Sequence, residues 1–269
     1  MRYSELKKEL LEINKKFNKL DAKEIDYFLS FFLNKNLFEI RDYNFTLKEV
    51  KKIKKLFLNH LKKDIPLQKL FKRAYFYKRE FFVNNNVLTP RFDSEILIEN
   101  VLKKPFESVL DLCCGSGALG ITLKKERENI SIDFADISKN ALKVTKRNCK
   151  KYSVNANLIK TNMFKNIDKK YDLIICNPPY IETNVIDTLN DEVKNFDPSI
   201  ALDGGEDGLK FYNIILNSVE NYLTENGKCI LEIGYNQGHL VEKFKEKFKN
   251  VELIKDYNNQ DRAIYFERR

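Results

Sequence analysis

The chain has 269 residues, enough for one catalytic domain and a smaller second domain. No apolar run approaches the ~18 residues of a membrane span, and the start is charged and amphipathic, so we expect a cytoplasmic protein with no membrane partner. The five cysteines are odd in number and lack the spacing of metal ligands, which predicts reduced thiols and no metal site.

Positive charge is concentrated in the first third of the chain. The formal net charge is +9; the first 90 residues carry 21 Lys and Arg against 11 Asp and Glu, and the remainder carries 27 against 28. This asymmetry favours an acidic or nucleic-acid partner for the first third. A solvated, lysine-rich helical face explains it equally well.

Three amphipathic helices are predicted within residues 1–70. Asp21 is placed to cap the second helix, and Thr46 with Glu49 forms a capping box for the third. Short loops between apolar stripes predict a small helical bundle, which we assign to residues 1–72. The apolar stripes are Leu6, Leu10, Ile13 and Phe17; Ile25, Phe28, Leu29 and Phe32; and Val50, Ile53, Phe57 and Leu61.

A β-like pattern follows in residues 76–83, and Asn84-Asn85-Asn86 favours a turn, so we predict a β-hairpin linker over residues 73–90. Residues 91–269 then alternate between helices and strands, which predicts a doubly wound α/β sheet. Its strands are predicted at 109–112, 132–136, 158–161, 171–176, 228–233, 251–254 and 263–266, and its later helices at 206–223 and 238–248.

The first strand of this sheet runs into a glycine loop that ends at Gly117. Gly115, Gly117 and Gly120 fit G-x-G-x-x-G, with Asp136 about 20 residues on, so the pattern alone allows a dinucleotide enzyme. Asp111 favours a ligand with an ammonium group instead, because its carboxylate would repel a pyrophosphate. A structural turn without a ligand also remains open.

The next two strands end in residues that suit an adenosine. Asp136 can accept hydrogen bonds from both ribose hydroxyls, although it could equally cap the helix that begins at Ser138. Met163 and Phe164, just past the third strand, could cover an adenine ring or belong to the core.

The fourth strand ends at the corner Asn177-Pro178-Pro179-Tyr180. Two prolines stop the strand and fix the backbone at its carboxyl end, where open α/β sheets bind ligands. The side-chain carbonyl of Asn177 and the backbone carbonyl of Pro178 form two fixed acceptors for a planar NH2 group, and Tyr180 adds a flat face. A plain turn is the alternative.

This corner resembles the signature of S-adenosylmethionine-dependent methyltransferases that modify an amide or a base amine. Beyond it, the chain from about Pro66 onward resembles the release factor glutamine methyltransferase family. The residues that carry this resemblance are Leu88 to Arg91 with Glu95, Asp111 to Gly117, Asp136, Asn177 to Tyr180, Asp197-Pro198, Ala201 to Leu209, Leu231 to Gly234 with Gln237, and Asp261-Arg262.

The resemblance implies transfer of a methyl group from S-adenosylmethionine to the side-chain amide nitrogen (N5) of the glutamine in the Gly-Gly-Gln motif of peptide-chain release factors. It implies a class I, Rossmann-like methyltransferase fold over residues 91–269, with a mixed seven-stranded sheet. From the basic charge of the first third, we expect the helical bundle of residues 1–72 to be a substrate-docking domain. The implied catalytic and substrate-binding residues are Asn177, Pro178, Pro179 and Tyr180; the implied cofactor-binding residues are Asp111, Cys113, Cys114, Gly115, Ser116, Gly117, Asp136, Met163 and Asn177.

Four positions depart from the family pattern. Cys113 replaces the first glycine of the loop, Phe92 replaces a proline, Ser94 replaces a threonine, and Met163 replaces a larger residue. Two other functions stay open: a nucleic-acid amine methyltransferase acting on a flipped base, and a non-catalytic cofactor-binding partner protein. We expect a monomer with release factors as partners and no stable nucleic-acid partner.

Overall fold

The computed structural model describes residues 1–269 and divides into two compact units, residues 1–72 with 191–196 and residues 73–190 with 197–269. None of its helices combines the length and apolar composition that a membrane span requires.

The first unit is helical, as predicted. The caps predicted for two of its helices are confirmed: the Asp21 carboxylate accepts the N–H groups of Lys23 and Glu24, and Thr46 and Glu49 form a reciprocal capping box. Two five-residue helices were not predicted, since one turn is too short to show a period. Residues 1–72 contain α1 (Tyr3–Asn14), α2 (Ala22–Leu33), α3 (Leu37–Arg41), α4 (Leu47–Lys63) and α5 (Leu67–Phe71).

The core of this unit forms from the predicted apolar stripes. Phe28 of α2 and Phe57 of α4 meet edge to face, with ring centroids 5.0 Å apart. Both side chains are fully buried, so the aromatic residues of this bundle are core. The other fully buried residues of this core are Leu6, Leu10, Ile25, Leu29, Ile40 and Ile53.

The second unit begins with a hairpin of β1 (Arg73–Phe76) and β2 (Arg79–Phe82). The predicted turn at Asn84 to Asn86 is present, with the N–H of Val87 donating to the carbonyl of Asn84 (3.2 Å), but it follows the hairpin. The hairpin itself turns at Tyr77 and Lys78, whose φ angles are 46° and 62°. Two positive φ angles define a turn whose twist matches that of the flanking strands. Tyr-Lys is an unusual sequence for such a turn, which usually contains Asn, Asp or Gly, so the turn could not be predicted from its own residues.

A mixed seven-stranded sheet with flanking helices forms the rest of the unit, as predicted. Its strand order is β5-β4-β3-β6-β7-β9-β8, and β9 runs antiparallel to both its neighbours. The strands are β3 (Ser108–Leu112), β4 (Ser131–Asp136), β5 (Asn157–Lys160), β6 (Tyr171–Cys176), β7 (Leu223–Glu232), β8 (Lys249–Lys255) and β9 (Asp261–Glu267). The helices are α6 (Glu95–Val101), α7 (Ala118–Glu126), α8 (Lys139–Lys151), α10 (Lys210–Ser218) and α11 (Leu240–Lys247), while α9 (Asp191–Phe196) belongs to the first unit.

Both faces of the sheet are buried. Alternate residues of the central strands enter two separate cores, with Val109 and Ile175 on one side and Leu110 and Ile174 on the other. The chain order reverses between β3 and β6, so the carboxyl ends of these strands diverge at a switch point. This is the place where open α/β sheets bind ligands.

Two boundaries differ from the predicted ones. The helix predicted at 206–223 is confined to α10, and a 3₁₀ turn follows it at Val219–Tyr222. Strand β7 begins five residues earlier than predicted, across the turn-like Asn226-Gly227. The Thr224 hydroxyl donates to Asp172 (2.8 Å), and this bond joins the polar start of β7 to β6.

Candidate active site

A cavity of about 340 Å³ opens at the carboxyl ends of β3, β4 and β6. Its volume lies in the range of about 300–1,000 Å³ that is typical of small-ligand sites. All of its lining residues belong to the second unit. They include Thr89 to Arg91, Leu112 to Ser116, Asp136 to Ser138, Thr161 to Met163, Asn177, Pro179, Ile200, Ala201 and Asp203.

The glycine loop presents its backbone to this cavity. Gly115 has a φ of +54°, and a Cβ added to it would meet nothing within 4 Å, so a side chain there would project into open space. A Cβ on Gly120 would lie 2.5 Å from the ring of Phe134, so Gly120 serves helix–sheet packing instead. Cys113, with a φ of 60°, holds a left-handed conformation that costs a non-glycine residue roughly 1 kcal/mol.

Two carboxylates lie beside the loop. Asp136 lines the cavity, and its two oxygens accept the N–H groups of Gly115 (2.9 Å) and Ser138 (2.8 Å). Each oxygen of Asp136 retains acceptor capacity for a ribose hydroxyl. Asp111 is 1% exposed and is not part of the cavity wall. Its Oδ2 accepts the N–H of Gly120 (2.9 Å), while its Oδ1 has no partner.

The charge of these carboxylates fits a cationic ligand. Burial is the main cause that raises the pKa of Asp111 to about 7 and raises the pKa of Asp136, and Asp136 itself adds to the shift of Asp111. No basic side chain offsets either charge. S-adenosylmethionine carries an ammonium and a sulfonium, which would relieve this burial of negative charge. A pyrophosphate would worsen it, which argues against a dinucleotide.

Met163 and Phe164 have different surroundings. Met163 lines the cavity, and its Sδ lies 3.9 Å from Sγ of Cys113. Phe164 is buried and stacks on Tyr222 with ring centroids 4.6 Å apart, so it belongs to the core. Of the two candidates for an adenine contact, only Met163 is placed to make one.

The corner from Asn177 to Tyr180 directly follows β6. Asn177 and Pro179 line the cavity, whereas Pro178 and Tyr180 are not among its lining residues. The Nδ2 of Asn177 donates to Oε2 of Glu232 (2.9 Å). The carbonyl of Pro178 accepts no backbone hydrogen bond. Both acceptors expected from the sequence are therefore free of protein partners at this corner.

Glu232, the last residue of β7, connects the elements of this corner. Its oxygens accept hydrogen bonds from Asn177, from the Ser94 hydroxyl and from the Tyr180 hydroxyl (3.2 Å). Burial raises the pKa of Glu232, and these hydroxyl donors with Arg262 and Arg91 oppose that effect. Sequence reasoning named Glu232 as a family mark but gave it no role. An acidic residue at the carboxyl end of a buried central strand was the available signal.

The segment from Ala201 to Leu209 packs directly on the corner. The N–H of Ile181 donates to the carbonyl of Leu202 (3.0 Å), and the N–H of Gly204 donates to the carbonyl of Ile181 (2.7 Å). A Cβ on Gly208 would lie 2.5 Å from the Tyr180 carbonyl oxygen, which also accepts from Nε2 of Gln237 (3.1 Å). The glycines of this segment therefore allow a close backbone approach that fixes the end of the corner.

Known proteins resemble the chain in sequence and in fold. The model of the methyltransferase small domain matches residues 90–194. A release factor glutamine methyltransferase from Fusobacterium nucleatum is 38% identical over 222 residues, covering 79% of this chain and 63% of the relative. One from Clostridium acetobutylicum is 33% identical over 269 residues, covering 95% of this chain and 93% of the relative.

Solved structures show the same fold at low identity. A Pyrococcus furiosus methyltransferase has a TM-score of 0.52 at 16% identity, covering 83% of this chain and 98% of that one. A Thermus thermophilus 16S rRNA methyltransferase, in complex with AdoMet and guanosine, has a TM-score of 0.51 at 16% identity, covering 73% and 50%. The near-complete coverage of the Clostridium relative decides between the functions left open by the sequence: the chain belongs to the release factor glutamine methyltransferase family, whose members are S-adenosylmethionine-dependent enzymes.

Proposed function

We propose that the corner Asn177 to Tyr180 methylates the side-chain amide nitrogen (N5) of the glutamine in the Gly-Gly-Gln motif of peptide-chain release factors. The observation that carries this proposal is the orientation of Asn177. Because its NH2 group donates to Glu232, its carbonyl oxygen remains as the acceptor at the cavity wall. A ligand amide is recognised through its N–H groups by acceptors of this kind.

Positioning supplies most of the catalysis. An amide nitrogen is a poor nucleophile because its lone pair is delocalised into the carbonyl. Asn177 and the Pro178 carbonyl each take one N–H of the target amide, which orients the nitrogen and favours its pyramidal form. Pro179 and Tyr180 fix the backbone that carries these acceptors. When bound, S-adenosylmethionine would supply the methyl group: its S–CH3 bond breaks as the N–CH3 bond forms, and its sulfur leaves as a neutral thioether without acid assistance. The methylated amide nitrogen then releases one proton to solvent.

The cofactor is held by the glycine loop and the two neighbouring strand ends. Cys113, Cys114, Gly115 and Ser116, which line the cavity, would surround its methionine half beside the buried Asp111. Gly117 is not part of the cavity wall, and a Cβ there would meet Thr145 at 2.8 Å, so it would support the loop from behind. Asp136 would bind the ribose, Met163 would contact the adenine, and Asn177 would lie between cofactor and substrate.

The remaining parts of the proposal concern organisation and partners. Residues 1–72 form a substrate-docking domain, residues 73–90 a hairpin linker and residues 91–269 the methyltransferase domain. The enzyme acts as a cytoplasmic monomer on release factors and has no stable nucleic-acid or membrane partner.

A transfer assay with labelled S-adenosylmethionine tests the function. Purified release factor should gain one methyl group on the glutamine of its Gly-Gly-Gln motif, located by peptide mass spectrometry. A release factor in which alanine replaces that glutamine is the substrate control. Label in RNA or DNA instead would favour a nucleic-acid methyltransferase, and cofactor binding without any transfer would favour a non-catalytic protein.

Asn177→Ala tests the assigned corner. Loss of one of two acceptors should reduce methyl transfer by roughly 10²-fold or more and leave the fold intact. Turnover close to that of the wild type would remove Asn177 from the mechanism.

A further inference from the structure

Three side chains from two chain segments converge on one buried carboxylate. Glu232 is 1% exposed and accepts hydrogen bonds from Ser94, from Asn177 (2.9 Å) and from Tyr180 (3.2 Å). Both of its oxygens are engaged, Oε2 by Ser94 and Asn177 and Oε1 by Tyr180. Glu232 is absent from the cavity wall, so it acts on a ligand only through these neighbours.

The side chain of Asn177 has two nearly isosteric orientations with opposite chemistry. In one, the carbonyl oxygen faces the cavity as an acceptor; in the other, the NH2 group does, and it would repel the NH2 of a target amide. An ionised carboxylate only accepts, so Oε2 of Glu232 favours the orientation that points Nδ2 toward Glu232. The reversed orientation would place two oxygens against each other.

We propose that Glu232 is a positioning residue that holds the Asn177 carbonyl toward the target amide, and thereby makes the corner selective for an NH2 group. The inference builds on the proposed function of the corner. Arg262 and Arg91 lie close enough to favour the charged carboxylate, against the opposing effect of its burial. Tyr180 extends the same restraint to the end of the corner.

Exchanging the amide and the carboxylate across the hydrogen bond between Asn177 and Glu232 tests this proposal. Asn177→Asp puts two carboxylates about one hydrogen-bond length apart and should reduce kcat by roughly 10²-fold or more. Adding Glu232→Gln reverses the donor and the acceptor: the new amide donates to the new carboxylate, whose second oxygen faces the target. The double variant should recover at least about tenfold over Asn177→Asp.

Cofactor binding and stability separate this effect from a structural one. All variants are compared at saturating S-adenosylmethionine, which calorimetry verifies for each. Glu232→Gln alone should bind the cofactor within about twofold of the wild type, and the melting temperatures of the variants should not explain the order of their activities. A double variant no more active than Asn177→Asp, with cofactor binding intact, overturns the inference. Inactivity of the wild-type enzyme toward release factor would instead refute the proposed function itself.

A thermodynamic cycle provides a test that does not need Asn177→Asp to fold. Glu232→Gln alone should lower kcat, because the new amide no longer enforces one orientation of Asn177. In an Asn177→Ala background the same change should have little further effect, because no amide remains to be oriented. Independent, multiplicative losses in the cycle contradict the inference.

Discussion

At the scale of single residues, Asp136 is the strongest candidate for the ribose contact. Its carboxylate lines the cavity and already anchors Gly115 and Ser138 through their N–H groups. Asp136→Ala should weaken binding of S-adenosylmethionine by roughly 1–3 kcal/mol, because charge-assisted hydrogen bonds to the ligand are lost. Calorimetry measures this, with Asp136→Asn as the variant that keeps the size and one acceptor. Unchanged affinity in both variants would show that Asp136 does not bind the ribose.

The burial of Asp111 should make the stability of the protein depend on pH. Its pKa is raised from 3.8 to about 7 by burial, so the folded protein favours the neutral acid. Its favourable contribution is complete below about pH 4 and is lost as the pH rises through about 7. Asp111→Asn stays neutral and can keep the bond from Gly120. Its advantage in unfolding free energy over the wild type should therefore grow by about 2.5 kcal/mol from pH 5 to pH 8.

Urea unfolding at both pH values, without cofactor, measures this difference. A gap that stays constant with pH would mean that Asp111 is already ionised in the folded protein at pH 5, so that its pKa is not raised. Saturating S-adenosylmethionine should narrow the gap at pH 8, since a bound cation stabilises the wild-type carboxylate.

The sequence predicted the residues that act through their local backbone. Asn177 to Tyr180 and the loop to Gly117 each form their geometry from adjacent residues, so a short motif is enough to locate them. Glu232 works through partners that lie 138, 55 and 52 positions away in the chain. Only the folded sheet, which sets β6 beside β7, brings those partners together.

At the scale of elements, the segment from Ala201 to Leu209 is what holds the corner in place. Gly208 and Gly205 both have positive φ angles, 70° and 92°, so alanine is strained at either position. Only at Gly208 would a Cβ meet the backbone of Tyr180, at 2.5 Å; at Gly205 it would meet the side chain of Lys210, at 3.2 Å. The two glycines thus form a matched pair.

Gly208→Ala should reduce methyl transfer about tenfold more than Gly205→Ala, because a small displacement of the corner misaligns its acceptors. Gly208→Ala should also lose more stability than Gly205→Ala, so thermal unfolding sets a temperature at which both variants are fully folded, and kcat is compared there. Equal losses of kcat would show that the segment supports the fold without positioning the corner.

Secondary-structure elements could be predicted where the apolar pattern was continuous. They were missed where pairing with a neighbouring strand determined the structure. Strands β3, β4 and β6 were found because they are buried on both faces and read as continuous apolar runs. The polar start of β7 gave no such signal, since its pairing comes from Tyr171 across the sheet. The hairpin turn at Tyr77-Lys78 likewise follows from pairing of β1 with β2 and not from its own residues.

At the scale of the whole molecule, the excess charge is confined to the first third of the chain. Residues 1–90 carry 21 Lys and Arg against 11 Asp and Glu, whereas the rest is nearly balanced. A glutamine at the tip of a loop offers little contact area, so recognition of a release factor needs a further surface. We propose that the helices of residues 1–72 provide it and mainly steer association with an acidic face of the substrate.

Charge reversal on α4 tests this role. Lys48, Lys51 and Lys55 are exposed and spaced along one face of the helix, whereas Lys54 already pairs with Glu9 at 2.5 Å and is best left unchanged. Changing the three exposed lysines to Glu should lower kcat/KM for intact release factor by about tenfold or more, with kcat nearly unchanged. Transfer to a short Gly-Gly-Gln peptide should hardly change.

The second unit offers a matched control for this experiment. Lys143, Lys146 and Lys150 on α8 are exposed with the same spacing, so reversing them changes the net charge equally. If the first third steers association, only the α4 variant should lose the salt dependence of KM for release factor, because screening at ~0.1 M salt acts over about 10 Å. Equal losses from both triple variants would assign the effect to net charge alone. Equal losses on protein and peptide substrates would point to a folding defect in α4.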